Sequence, residues 1–337
     1  MRQVQASINS VETNGLVVVI ATGGTIAQDG GRTATVDAQS LLAASGAVGP
    51  IEAIQHLQVT SPNIGTEDWI SLATLLQKVI ERPDVAGVVI THGTDTLEET
   101  AFFLDLTCRS DIPVVIVGAM RPSNAPDSDG ELNLRDGIAL ARSPLARECG
   151  VVAFLNGRVQ AARDVTKRHS HKLDAFDSPN IGDLGTWEEG SALSLRTLPR
   201  LPLFPIPASL PDVPIIYSYV GLDQDSLTYL KSKRPGGLVF AGTGGGSIPD
   251  ALLPLLTALA AEGTLIVRSS RTGAGPVERN VEVDDEATGL IAARHLNPQK
   301  SRILLMLCVG SGLKAAQTQS AFDQCDLALH PILGSPE

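Results

Sequence analysis

Short runs of apolar, mostly β-branched residues recur along the first half of this chain and constrain its fold more than any other feature. Segments with helical spacing of apolar residues separate them, at 67–81, 96–108 and 132–142. Strands that are apolar on both faces and alternate with helices are typical of a parallel sheet covered on both sides. The pattern therefore predicts a mainly parallel, doubly wound α/β domain. The runs are LVVVIA (16–21), GVVI (87–90), PVVIVGA (113–119) and GVVAFL (150–155).

The segment RTLPRLPLFPIPASLPDVP (196–214) interrupts this alternation, because it contains six of the 21 prolines and proline disfavours both helix and central strand. After it the alternation resumes, with helices expected near 250–261 and 313–325. We therefore predict a larger N-terminal α/β domain at 15–195, a proline-rich linker at 196–213 and a smaller C-terminal α/β domain at 214–337. The strands predicted after the linker are IIYSYV (215–220), GLVFAG (237–242), TLIVRSS (264–270) and RILLML (302–307).

Composition and charge exclude several classes of protein. The 337 residues are 43% hydrophobic and 19% charged, which is typical of a folded globular chain. The net charge of -11 would repel phosphate backbones, so no nucleic-acid partner is expected. No run of about 18 apolar residues occurs, so no membrane segment is predicted.

The compartment is predicted from the first residues and from the cysteines. The start, MRQVQASINSVETNG, has no apolar signal core, which indicates a cytoplasmic protein, or a periplasmic or secreted one if a leader has been removed. The four cysteines are scattered, which indicates free thiols in a reducing compartment. No metal site and no cofactor are expected.

Two polar stretches fall at the carboxyl ends of predicted strands, where parallel sheets collect ligands. ATGGTIA (21–27) has three interpretations: a tight turn, a phosphate loop, or a turn that presents the Thr25 hydroxyl beside glycine amides that could stabilise an oxyanion. The phosphate loop is disfavoured because neither GxxxxGK[ST] nor GxGxxG is present. In THGTDTLEETAFFL (91–104), Thr94 and Asp95 are either a helix cap or a hydroxyl with its electrostatic partner.

Other polar stretches are weaker signals when each is taken alone. GTGGGS (242–247) predicts a loop whose glycines let another group approach the backbone closely. HSH (169–171) offers two possible metal ligands, but no further His or Cys cluster accompanies them. Lys167 and Glu282 would each ordinarily be solvated surface charges.

Together these stretches resemble the bacterial-type L-asparaginase/glutaminase family. The resemblance runs in family order from residue 16 to near 308. It implies a two-domain amidohydrolase without a cofactor that converts L-asparagine to L-aspartate and ammonia, with L-glutamine as a second substrate. It also implies a homotetramer built from intimate dimers. The further matching stretches are GAMRPS (118–123), GRVQAARDVTK (157–167), VRSSR (267–271), EVDD (282–285) and LNPQK (296–300).

The resemblance also implies a role for each matching residue. Thr25 matches the nucleophile, Glu282 matches an acid that joins it, and Thr94, Asp95 and Lys167 match a second cluster across the pocket. Because a neighbouring carboxylate favours the ammonium form of a lysine, we expect Lys167 to polarise Thr94 rather than to abstract a proton. The residues implied to bind substrate are Gly24, Thr66, Glu67, Gly93, Thr94, Asp95, Ala119 and Ser247, the last lent across a subunit interface.

One departure from the family keeps a second hypothesis open. The family usually places a lid tyrosine in the loop QDGGRTATVDAQ (28–39), which contains none here; Thr33 or Thr35 could supply a hydroxyl instead. A module that binds or senses an amino acid with little or no turnover is therefore the alternative function. A third hypothesis, the amidase subunit of a tRNA-dependent amidotransferase, predicts an additional N-terminal domain, whereas about 15 residues precede the first predicted strand.

Overall fold

The N-terminal part of the chain carries the largest of the three sheets that the described residues form. The structure, a computed structural model, describes residues 15–28, 36–188, 191–192 and 194–326. The strands of the N-terminal part are β1 (Leu16–Gly23), β2 (Ile51–Val59), β3 (Val85–Thr91), β4 (Val114–Val117), β5 (Val151–Leu155), β6 (Arg158–Ala161), β7 (Thr166–Lys167), β8 (Phe176–Asp177), β9 (Gly185–Glu188) and β10 (Ser191–Ala192). The helices of this part are α1 (Ala38–Ser45), α2 (Thr66–Ile80), α3 (Leu97–Thr107) and α4 (Gly130–Arg142).

The large sheet is mainly parallel, as predicted. Its strand order is β10-β9-β6-β5-β4-β3-β1-β2, in which β5, β4, β3, β1 and β2 run parallel and the strands beyond β5 run antiparallel. Alternate residues of β1 enter two different cores: Val18 and Ile20 belong to the core that includes α2 and α3, and Val17 and Val19 belong to the core that includes α4. Helices therefore cover both faces, which confirms the doubly wound arrangement.

The C-terminal part forms a separate, smaller sheet that is parallel throughout, in the order β11-β12-β13-β14. Its strands are β11 (Ile215–Tyr217), β12 (Gly237–Gly242), β13 (Leu265–Ser270) and β14 (Ile291–Ala292). Its helices are α5 (Gln224–Lys233), α6 (Leu253–Ala261), α7 (Asp285–Thr288), α8 (Pro298–Gly310) and α9 (Ala315–Gln324).

The prediction of a strand at RILLML (302–307) was wrong, because this run lies in α8. Asn297 caps the helix by accepting the Lys300 N–H at 3.0 Å, and Pro298 occupies the first turn. The run is apolar on nearly every side because α8 packs against α3 of the N-terminal part and against β12 and β13. A short apolar run cannot distinguish a buried helix from a buried strand, and the cap was the signal that would have decided it.

The proline-rich segment has neither helix nor strand between residues 194 and 214, and it is packed rather than free. Leu201 and Phe204 are buried, and the Phe204 N–H donates to Leu106 O at the end of α3 at 2.8 Å. The segment therefore follows the surface of the N-terminal part before it enters β11. Among the described residues, no helix has the length and apolar character needed to cross a membrane.

Candidate active site

The carboxyl ends of β1 and β3 touch each other through two glycines. Gly24 has φ +87°, and a β-carbon placed on it would lie 2.2 Å from Gly93 N. Two residues before these glycines, the Thr22 hydroxyl donates to Thr91 O at 2.8 Å and joins the same two strands. Only glycine allows this approach and this backbone conformation. The contact places the residues that follow, Thr25 and Thr94, at neighbouring strand ends.

Thr94 and Asp95 both bond the ammonium group of Lys167, which is on β7. Lys167 Nζ lies 2.8 Å from Thr94 Oγ1 and 2.6 Å from Asp95 Oδ1. The side chain of Lys167 is 15% exposed and that of Asp95 is 60% exposed, whereas Thr94 is buried. The N-cap of α3 is Thr96, so the helix-cap interpretation of Thr94 and Asp95 was wrong. The cluster instead holds a hydroxyl and a carboxylate that each lie within hydrogen-bond distance of one ammonium group.

The turn that carries Asp95 is attached to the start of α2. Asp95 N donates to Ser61 Oγ at 3.2 Å, and the Thr96 hydroxyl donates to Ser61 O at 2.9 Å. Ser61 opens the short 3-10 turn that leads into α2, whose first two residues are Thr66 and Glu67. The structure thus places Thr66, half-buried, and Glu67, exposed, on the segment tied to the Asp95 turn. No sequence pattern had indicated Ser61, because its role depends on a contact 34 residues away.

Thr25 begins a 3-10 turn directly after β1 and is partly exposed. Among the described residues, no side chain is hydrogen-bonded to its hydroxyl. The segment proposed to cover it lies mostly outside the described residues, and so do Thr33 and Thr35. Ala119 is fully buried at the end of β4, and a β-carbon on the preceding Gly118 would lie 3.1 Å from Thr94 Cγ2. Ala119 therefore adjoins the Thr94 side of the cluster.

A buried histidine supports the Gly93–Thr94 turn from behind. Trp69 Nε1 donates to Thr100 Oγ1 at 2.9 Å, so the Thr100 hydroxyl is free to donate to His92 Nε2, also at 2.9 Å. His92 Nδ1 must then carry the proton and donate to Gly93 O at 2.7 Å. Burial lowers the pKa of His92 to about 4, which keeps the ring neutral. The network fixes the Gly93 peptide without adding a charge.

Ser247 and Glu282 form a second polar group, at the carboxyl edge of the C-terminal sheet. Ser247 donates to Glu282 Oε2 at 2.7 Å, and Glu282 is exposed. In the described part of one chain, no hydrogen bond or ion pair joins either residue to Thr25, Thr94 or Lys167. Within the described residues of one chain, Thr94, Asp95 and Lys167 thus form one bonded group, and Ser247 and Glu282 form another.

The surroundings of the cluster are polar and basic. A cavity of about 300 Å³ opens beside Asp95 and Lys167 and is also lined by Arg168, His169 and Ser170. His169 Nδ1 accepts the N–H groups of His171 and Lys172 at 3.0 and 3.1 Å, so its ring closes a turn. Over the ranges that the structure describes, no group of three His, Cys, Asp or Glu side chains is arranged to hold a metal ion.

Comparisons with known proteins define the class to which this fold and site belong. The family model described as "Asparaginase, N-terminal" matches residues 16–199, and the one described as "Glutaminase/Asparaginase C-terminal domain" matches residues 212–322. The chain belongs to the asparaginase/glutaminase family. The resemblance inferred from the motifs is confirmed.

Individual relatives cover nearly the whole chain. It is 40% identical to a glutaminase-asparaginase of Acinetobacter glutaminasificans, over 91% of this chain and 98% of the relative. It is 37% identical to L-asparaginase 2 of Escherichia coli (strain K12), over 91% of this chain and 92% of the relative. The crystal structure of a probable cytoplasmic L-asparaginase from Campylobacter jejuni superposes with a TM-score of 0.85 at 38% identity, covering 92% of this chain and 99% of that one.

Proposed function

We propose that this protein is an amidohydrolase that converts L-asparagine to L-aspartate and ammonia and accepts L-glutamine as a second substrate. The observation that carries the proposal is the bond of Lys167 to both Thr94 and Asp95, beside the strand end that bears Thr25. Relatives named for both activities support the pair of substrates. One methylene separates the two amides, and it is worth only about 1–3 kcal/mol to a binding pocket.

The substrate is held by its amino-acid head. Asp95 and Glu67 neutralise the ammonium of the substrate, while Thr66 and nearby backbone amides hold its carboxylate. Each charge-assisted hydrogen bond of this kind contributes about 1.5–3 kcal/mol. Together they place the side-chain amide near Thr25, which supplies the positional advantage that acyl transfer requires. Gly24, Gly93 and Ala119 form the close-packed floor of this pocket.

The reaction proceeds through an acyl-enzyme. Thr25 Oγ attacks the carboxamide carbon, its proton passes to the amide nitrogen, and the C–N bond breaks to release ammonia. Water then attacks the resulting ester and releases aspartate, which returns the hydroxyl of Thr25. Lys167 remains charged and polarises Thr94, which directs this water. The Lys167 ammonium group stabilises the negative charge that develops on the carboxamide oxygen of the substrate.

Ammonia release from L-asparagine and L-glutamine tests the function directly. We expect turnover of both amides by the wild type, and none above background for Thr25→Ala. Calorimetry with L-aspartate on both proteins provides the control, because the variant should still bind the amino-acid head. Tight aspartate binding by a wild type that releases no ammonia would contradict the proposal and would favour a binding or sensing module.

We also propose that the active protein is a homotetramer built from dimers in which Ser247 and Glu282 of one copy complete the site of another. The idea is supported because, among the described residues of one chain, Ser247 and Glu282 bond each other and make no hydrogen bond or ion pair to Thr25; the exposed Tyr219 and Val220 on the same sheet edge support it too. Light scattering coupled to size-exclusion chromatography should give four times the mass of 35.3 kDa. A monomer with full activity would contradict it.

The proposed compartment is the cytoplasm. All four cysteines are buried and free, as is usual for chains in reducing surroundings. Relatives named for the cytoplasm and for the periplasm both occur, so fractionation of the source cells is the deciding measurement.

A further inference from the structure

A second lysine–carboxylate pair lies beneath the cluster just described. Lys300, on the first turn of α8, is 1% exposed, and its Nζ lies 3.2 Å from Oε2 of Glu98, which is on the first turn of α3. The same Nζ donates to the backbone oxygen of Val165. Neither residue belongs to the machinery assigned above. A charged pair this deep needs an explanation, because burial of two charges is costly unless both are fully compensated.

The carboxylate of Glu98 is fully compensated by the start of α8. Gln299 Nε2 donates to its Oε1 at 2.8 Å, and Asn297 Nδ2 donates to its Oε2 at 3.4 Å. These residues and Lys300 are the cap and first turn of a 13-residue helix, whose positive end also favours a carboxylate. The first turn of α8, in the C-terminal part, thus forms a binding site for the Glu98 side chain of the N-terminal part.

The residues that Lys300 bonds, Glu98 and Val165, are close in sequence to residues proposed to take part in the reaction. Glu98 follows Asp95 by three residues, and Val165 precedes Lys167 by two. Lys300 therefore joins the same two segments that Lys167 joins when it bonds Thr94 and Asp95. One bridge lies at the pocket, and the other lies immediately behind it in the interior. Each segment that bears a reacting group is held at two points.

We propose that Lys300 and Glu98 are positioning residues that set the distance between the Thr94–Asp95 turn and Lys167. The proposal rests on the proposed function for its kinetic readout only. The inner bridge fixes the separation of the two backbones, so that Lys167 reaches Thr94 without having to draw its own segment inward. A displacement of about 1 Å at a catalytic group can lower a rate by about a hundredfold. The docking of the C-terminal part thereby reaches a cluster to which, among the described residues, it makes no direct hydrogen bond or ion pair.

The kinetic test compares three substitutions. Lys300→Met removes both bonds and should lower kcat for L-asparagine by about tenfold to a hundredfold, with a smaller change in KM, because the amino-acid head is bound elsewhere. Glu98→Gln keeps the shape of the side chain and should give a smaller loss of kcat. Lys300→Arg retains a cation that can donate to both oxygens and should restore most of the kcat that Lys300→Met loses.

A buried cation at the opposite edge of the large sheet provides the matched control. Arg142 donates to Gly15 O, Val48 O and Pro50 O at 3.1, 2.7 and 2.8 Å, near the amino ends of β1 and β2. Arg142→Met should lower the Tm in the same way as Lys300→Met but leave kcat unchanged, with all assays made well below each Tm. Equal kcat for folded Lys300→Met and wild type, or an equal loss in Arg142→Met, would overturn the proposal.

A structural measurement separates this proposal from the proposed function. Crystal structures of wild type and Glu98→Gln should show the 2.8 Å contact between Lys167 Nζ and Thr94 Oγ1 lengthened in the variant, because a neutral amide binds the Lys300 ammonium more weakly than a carboxylate does. That result would stand even if the wild type released no ammonia. An unchanged contact in Glu98→Gln would overturn the positioning role even if the enzyme were fully active. Glu98→Gln is nearly isosteric, so it serves where Lys300→Met fails to fold.

Discussion

The eight-stranded N-terminal sheet and the four-stranded C-terminal sheet both carry polar loops at their carboxyl edges, and a buried cation–carboxylate pair supports each edge in a different way. In the C-terminal sheet, Arg268 binds both oxygens of Asp285, at 3.0 and 2.7 Å, and neither side chain is exposed. The partners are 17 residues apart. Beneath the N-terminal edge, Lys300 and Glu98 are 202 residues apart and come from different parts of the chain.

The two ion pairs differ in whether both partners come from the same part of the chain. Arg268 also donates to Gly245 O and to Glu278 O, so one side chain organises the loops before Ser247 and before Glu282. That edge is completed within the C-terminal sheet. The N-terminal edge is complete only when α8 has docked on α3. The edge that bears Thr94, Asp95 and the proposed nucleophile Thr25 is therefore the one that depends on contacts between the two parts.

The sharpest way to test this contrast is to remove the hydroxyl at the N-terminal edge. Thr94→Val keeps the shape of the side chain but deletes the oxygen that Lys167 bonds, so kcat for L-asparagine should fall by about a thousandfold or more. Thr74→Val, an exposed change on α2, is the matched control and should leave kcat unaltered. A loss below about tenfold would show that the cluster does not serve the reaction.

The second largest effect is expected on stability. Arg268→Met leaves Asp285 buried without its partner, so the free energy of unfolding should fall by about 3–5 kcal/mol. Arg135→Met, an exposed residue paired with its neighbour Asp136, should change it by less than about 1 kcal/mol. Guanidinium unfolding measures both. If the C-terminal edge is self-contained, Arg268→Met at low temperature retains the Lys167–Thr94 bond, and a crystal structure in which that bond is broken would contradict the contrast.

The third effect is a pH dependence of the free energy of unfolding that arises behind the N-terminal edge. His92, behind the N-terminal edge, has a pKa of about 4 in the folded state, below its ordinary value of 6.5. Between these values the unfolded chain takes up a proton that the folded chain does not. The free energy of unfolding therefore decreases, by up to about 3 kcal/mol, as the pH is lowered from 6.5 to about 4.

His92→Gln can keep both hydrogen bonds but cannot titrate, so it should lose less stability than wild type between pH 7 and pH 4. Burial raises the pKa values of Glu99 and Asp105, which act in the opposite direction in both proteins. The difference between the two proteins therefore isolates the histidine. Urea midpoints at the two pH values provide the measurement, and parallel losses in wild type and variant would refute the assignment.

The smallest effect is expected at the C-terminal edge. Ser247→Ala removes one bond to the exposed Glu282, and such a bond is worth about 0.5–1.5 kcal/mol, so KM for L-asparagine should rise by about threefold to tenfold with little change in kcat. Ser209→Ala, an exposed serine of the proline-rich segment, should leave KM unchanged. A loss of kcat as large as that of Thr94→Val would place Ser247 among the reacting groups and remove the contrast.

The sequence predicted the parts of this fold that depend on local pattern. Buried β-branched runs located β1, β3, β4 and β5, and the polar residues after them fell at one edge of the sheet because parallel strands end together. Roles at the candidate site came from the family resemblance, and they stay predictions until the variants are measured.

The features that the sequence did not indicate depend on distant contacts. RILLML was mistaken for a strand because burial on all sides erases the helical period. No role was predicted from the sequence for Ser61, His92 or Lys300, although Lys300 lies in the matching stretch LNPQK, because each acts through a partner that only the fold brings near.

The contact between Gly24 and Gly93 has a consequence for redesign of the pocket. Neither position has room for even a methyl group, since a β-carbon on Gly93 would lie 2.7 Å from Ser61 Oγ. The base of the proposed pocket is backbone against backbone and cannot be reshaped by substitution. Libraries aimed at a different amide should therefore vary residues proposed to bind the amino-acid head, such as Thr66 and Glu67, and leave the two glycines as they are.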